Sequence, residues 1–141
     1  MHIDFKSVEK FVRSVTREQS PAEVERTFSI FMCRCLATIR DLLPRLGRDA
    51  LDLASSYWLE GKGEVAALDA ANESCWNYLV SKGRGIDVLD KEDAAMRALI
   101  CVLGHGDSVE DSVDSLEWFV NMFEWLGWRY SGRFNEQLRA V

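Results

Sequence analysis

The groups in this sequence that could do chemistry are two histidines (His2 and His105), four cysteines (Cys33, Cys35, Cys75 and Cys101) and a crowd of carboxylates after residue 86. A metal needs three or four convergent ligands. Cys101 and His105 are four apart and would share a helical face, with Cys75 as a third donor, but Gly104 and Gly106 flank His105 and mark a loop. Cys33 and Cys35 form a C-x-C pair whose side chains point about 200° apart on a helix. No C-x-x-C pair and no further histidine are at hand, so neither a metal nor a cofactor is expected. A cysteine nucleophile needs a histidine base and meets the same shortage. There is no G-x-S-x-G elbow, phosphate loop or dinucleotide fingerprint, and Gly83-Arg84-Gly85 reads as a turn.

The carboxylates fall into two groups, Asp87, Asp90, Glu92 and Asp93, then Glu110, Asp111, Asp114 and Glu117. A catalytic pair should be partly enclosed so that one pKa rises. These acids sit at expected helix starts and on a face expected to be exposed, where capping accounts for them. A calcium loop is disfavoured by the lack of a glycine hinge and of alternating ligands. The chain is therefore read as a non-enzyme. Asp107, Asp111 and Asp114 follow i, i+4, i+7 spacing, and Glu110, Asp114 and Glu117 make an adjacent stripe. Like charges so spaced weaken a helix by a few tenths of a kcal/mol per pair, which a basic partner would relieve. Trp118 and Trp125, seven apart, lie off the inward stripe of Phe119 and Phe123. Either both faces of this helix pack on neighbours, or the two indoles anchor a partner beside the acidic stripe, as in an interface hot spot. The candidate partner-binding set is Glu110, Asp111, Asp114, Glu117, Trp118 and Trp125.

Charge narrows the partner. The net charge is −6. Residues 1–60 are balanced, with nine basic and nine acidic side chains, whereas 87–124 hold ten acids against Lys91 and Arg97 alone. Phosphate binding needs a basic face, so nucleic acid is not the expected ligand. A solvated acidic face and a docking surface for a basic protein both fit. No signal peptide and no apolar run of about 20 residues occur, so a cytoplasmic protein that does not engage the membrane is expected, with reduced cysteines in its core.

The elements that position these groups are helices. With 141 residues and 48% hydrophobic composition, residues 1–141 are expected to form one domain. Asp4 caps a first helix to about Arg17, with Phe5, Val8, Phe11, Val12 and Val15 inward. Ser20-Pro21-Ala22-Glu23 is a capping box that opens a long second helix, expected to run until Pro44. Asp49 is expected to cap a third helix ending at Gly61. A fourth runs from near Gly63 to Gly83, and 82–89 is a loop. Asp90 opens a fifth, whose run Ala98–Leu103 is apolar all round and is also compatible with a short buried strand. A sixth starts at Asp107-Ser108 and ends at Gly127, with Val113, Leu116, Phe119, Val120 and Phe123 inward. A short seventh spans Phe134 to Ala140. The fold class is all-α, an irregular bundle of about seven helices arranged as antiparallel hairpins.

The segment Ala50-Leu51-Asp52-Leu53-Ala54-Ser55-Ser56-Tyr57-Trp58-Leu59-Glu60-Gly61, the alanine-rich helix with Trp76 that follows, and then Arg97-Ala98-Leu99-Ile100-Cys101 resemble small helical bacterial immunity proteins, which are encoded beside toxins used in competition between bacteria. The likeness covers roughly 48–125 and rests on packing motifs. It implies a protein without catalytic residues that occludes a cognate toxin, often with an acidic surface against a basic enzyme. Two other functions fit the composition. One is a small helical enzyme or ligand sensor with a pocket lined by Tyr57, Trp58, Trp76 and Tyr78. The other is a helical-repeat adaptor, against which the lack of a fixed repeat period speaks.

Overall fold

Asp4 accepts a hydrogen bond from the Ser7 amide, and Ser20 and Glu23 exchange the two bonds of a capping box. These start the first two of seven helices in the computed structural model, which describes residues 2–104, 106 and 108–141. The helices are α1 (Phe5–Glu18), α2 (Pro21–Ala37), α3 (Arg45–Glu60), α4 (Val65–Ser81), α5 (Lys91–Ile100), α6 (Val109–Leu126) and α7 (Trp128–Arg139). The fold is all-α, with no strand among the described residues. Each helix packs on the next in sequence, and α2 also touches α5, α6 and α7, which makes it the central element. Over Phe31–Leu36 every residue but Arg34 is buried, so Cys33 and Cys35 are both covered although they lie on opposite faces. The buried side chains of every helix join one core. An aromatic seam runs through it, with Phe11 on Phe28 and Phe31 (centroids 5.6 and 5.2 Å) and Phe134 against Phe31, Phe119 and Phe123.

Several boundaries differ from the sequence expectation, each for a local reason. The second helix stops at Ala37, well before Pro44. The Thr38 hydroxyl and amide both donate to the Cys35 carbonyl, so the side chain competes with helix continuation. A single 3-10 turn over Arg40–Leu42 follows, and Arg133 of α7 donates to the Thr38 carbonyl at 2.7 Å. Pro44 itself, extended at φ −68° and ψ 168°, is the N-cap of α3, which leaves Asp49 inside the helix. Gly127, at φ +105°, ends α6 and starts α7 at once, so α7 begins six residues before the expected Phe134. Phe5 is 50% exposed and not part of the core stripe. The apolar run after Ala94 is helical to Ile100 and closes in a turn through Leu103, so it is not a strand. Trp58 donates from Nε1 to the Val102 carbonyl at 2.8 Å, tying α3 to that turn. His105 and Asp107 lie outside the described residues.

The N-terminus is clasped to α7. Asn135, 4% exposed, accepts from the Asp4 amide at 2.9 Å and donates to the His2 carbonyl at 2.8 Å. No described helix is long and apolar enough to cross a membrane.

Candidate functional site

The α6 helix has two different sides. Ser108 caps it by accepting from the Asp111 amide, and Glu110 and Asp111 sit in its first turn, where the helix dipole favours negative charge. Leu116, Phe119, Val120 and Phe123 are buried, with Phe119 and Phe123 stacked at 5.0 Å, and Val113 is half-buried. That stripe fixes the rotation of the helix, so Glu110, Asp114, Glu117, Trp118, Asn121 and Trp125 face outward. Trp118 and Trp125 are 46% and 45% exposed. They alternate with Asp114 and Asn121 in one row at i, i+4, i+7 and i+11. All six candidate partner-binding residues are thus exposed on one helix, and no ion pair among the described residues involves Glu110, Asp114 or Glu117.

Two grooves flank this face. On one side, α1 supplies Phe5, Val8, Glu9 and Val12 against Glu117, Val120 and Asn121. On the other, α4 supplies Asn72 and Trp76 against Asp111, Asp114 and Trp118, with Ile100 and Cys101 as apolar lining. Gly106 donates from its amide to Glu25 at 2.6 Å and packs so closely on Asp111 that a Cβ there would lie 2.5 Å from the Asp111 Cβ.

The aromatic residues considered for a small-molecule pocket do not converge. Tyr57 and Trp58 pack edge to face at 4.8 Å and line a groove beside Ala22, Glu23 and Arg26. Trp76 stacks on Arg97 at 5.4 Å, and the Tyr78 hydroxyl donates to Glu92 at 2.7 Å. Among the described residues no group of three or more histidines, cysteines and acids is placed to hold a metal ion. All four cysteines are free, and burial pushes the Cys33 and Cys101 thiols up to about 12 and Cys75 to about 11. Such thiols stay protonated and poorly nucleophilic at neutral pH.

One polar cluster escaped the sequence reading, which put Asp93 on an exposed helix start. Asp93 is 0% exposed. Its Oδ2 accepts from Arg84 at 2.7 Å and from the Leu89 amide at 3.0 Å, while its own amide donates to Asp90. Arg97, 5% exposed, donates to the Arg84 carbonyl at 3.2 Å, and Lys82 pairs with Glu92. The cluster pins the 82–90 connection onto α5. Among the described residues Asp93 Oδ1 and Arg97 Nε find no hydrogen-bond partner, although Lys82 Nζ lies 4.0 Å from that oxygen. The available signal was position: Asp93 opens the run Ala94 to Leu99, which is apolar apart from Arg97 and buried on every side. Asp93 has no surface open to solvent.

Comparison with protein-family models, with curated proteins and with solved structures finds no match.

Proposed function

We propose that this chain is a non-catalytic binding protein of the immunity type, which neutralises a basic protein toxin by docking the outer face of α6 over it. The observation that carries the reading is the row of Asp114, Trp118, Asn121 and Trp125, with both indoles nearly half in water amid Glu110, Asp111 and Glu117. Tryptophan is the residue type most enriched among interface hot spots, and it gains most when the remaining surface is buried. The surrounding carboxylates suit a lysine- and arginine-rich partner and would speed encounter. Four free cysteines agree with work in the reducing cytosol of the producing cell.

The test is a rescue assay. The product of the neighbouring gene is expressed alone, with this protein, and with a variant carrying E110Q, D114N and E117Q. Expected are toxicity of the neighbour alone, survival with the wild type, and complex formation that weakens steeply with salt. The variant should fold with little loss of stability, since exposed changes of this kind amount to a few tenths of a kcal/mol each, yet bind more slowly. A harmless neighbour, or a variant that binds with the same affinity and the same salt dependence, would refute the reading.

A further inference from the structure

The groove between α4 and α6 has two walls of the same make. The α4 wall offers Asn72 and Trp76, four apart, and the α6 wall offers Asp114 and Trp118, also four apart, with Asp111 one turn earlier. Among the described residues its charged lining is Asp111 and Asp114. Trp76 is already fixed in place by Arg97, whose buried guanidinium lies 5.4 Å from the ring centroid. A ligand would therefore meet a preformed wall rather than having to order one.

We propose that this groove receives an arginine side chain of the basic partner, its guanidinium stacked on the indoles of Trp76 and Trp118 and paired with Asp114. This rests on the docking reading above and gives it an anchor point. Guanidinium is the cation that fits best. It is planar, weakly hydrated, stacks on aromatic faces and forms two parallel bonds to one carboxylate, whereas an ammonium is compact and strongly hydrated. The apolar lining from Ile100 and Cys101 favours the less hydrated ion and weakens water's competition for Asp114. A neutral polar side chain of the same shape would gain neither the ion pair nor the cation–π attraction.

The experiment follows the five tryptophan indole N–H signals by NMR while blocked Gly-Arg-Gly, Gly-Lys-Gly and Gly-citrulline-Gly peptides are added. The arginine peptide should shift the Trp76 and Trp118 signals, the lysine peptide should act several-fold more weakly, and the citrulline peptide should leave them in place. D114N should weaken the arginine effect about fivefold or more, and W118A should remove the Trp76 shift, with both variants checked for unchanged helicity. Equal shifts from citrulline, shifts confined to Trp125 and Trp128, or an undiminished effect in D114N would overturn the proposal. The titration uses no toxin, so the two ideas fail separately. A protein that rescues cells while its indoles ignore arginine sinks the groove alone, and one that binds arginine here but rescues no cell sinks the immunity reading.

Discussion

Asp93 is the residue on which a whole connection depends. Burial alone would raise its pKa, but the Leu89 amide and the Arg84 guanidinium outweigh that and hold the carboxyl below its ordinary value. Glu92 is lowered too, with burial opposed by Lys82 and the Tyr78 hydroxyl. A carboxyl whose pKa falls on folding stabilises fully above its unfolded value, about 3.9 for Asp and 4.3 for Glu. The contribution is lost as pH drops toward the folded value. Lys82 is raised, mainly by Glu92, so its share is whole below the unfolded lysine value of about 10.4 and is lost above it. Stability measured by urea unfolding should be level between about pH 5 and 7.5, fall below pH 4, and fall again above about pH 8, where the thiols of the unfolded chain (about 8.5) ionise while the buried ones stay protonated. D93A should lower that plateau by about 3 kcal/mol, because it strands charged and polar partners, and should make the acid limb shallower. An unchanged plateau would mean that the cluster contributes nothing. The cysteines give a second check at this scale. With Cys35 also buried and the Cys33 and Cys75 thiols pushed up to about 12 and about 11 by burial, a disulfide reagent at pH 8 should label these three slowly in the native protein, and all four cysteines at once in denaturant. Fast native labelling would contradict the burial described.

At the scale of elements, helix identity was legible and helix ends were only partly so. The 3.6-residue stripes, Phe5 apart, and the Ser20 and Asp90 caps are legible because they are local: capping residue, first turn and apolar spacing lie within a few positions. The end of α2 was missed because a threonine hydroxyl turning on Cys35 and a guanidinium arriving from α7 decide it, and the second is invisible in sequence. The start of α7 was missed because Gly127 serves as the C-cap of one helix and the N-cap of the next. The candidate face on α6 was readable as a face, since its inward stripe is strong. That Trp118 and Trp125 remain exposed was not readable, because burial of a second face depends on which helices lie beside it. Packing between α3 and α5 also hid from view. Gly47 is buried, and a Cβ there would meet the Met96 sulfur at 2.8 Å and the Leu43 Cβ at 3.2 Å. Gly47 is the third residue of α3, where helix propensity favours replacing glycine by at most about 1 kcal/mol, but overpacking costs about 1–3 kcal/mol, and β-branching adds crowding. G47V should therefore destabilise by about 2 kcal/mol in thermal or urea unfolding, with helicity retained. A neutral or stabilising result would show that the α3–α5 contact is loose.

For the whole molecule, charge and shape separate cleanly. The balanced N-terminal part builds the central helix, while the acidic surplus concentrates around α5 and α6. The surplus divides by role: Asp93 and Glu92 are spent on holding the 82–90 connection, and Glu110, Asp114 and Glu117 face water. Counting acids in the sequence could not make that division, because the two groups look alike until burial is known.

The Asn135 clasp reaches further than its two hydrogen bonds suggest. α1 leans on the rest chiefly through the Phe11 seam with α2, and the clasp holds its leading end. Such a helix is the natural first unit to detach while the remainder stays folded, an opening that native-state hydrogen exchange reads amide by amide. N135A removes an acceptor and a donor together, a loss of about 1.4 kcal/mol or tenfold in the opening equilibrium. The amides of α1 should then exchange about tenfold faster, while those of α2 and α5 keep their rates. Uniform acceleration across all helices would show that α1 opens only with the whole protein. If α1 does open alone, the groove it shares with Glu117 and Asn121 exists only in the closed population, and the clasp sets how often that wall of the docking face is present.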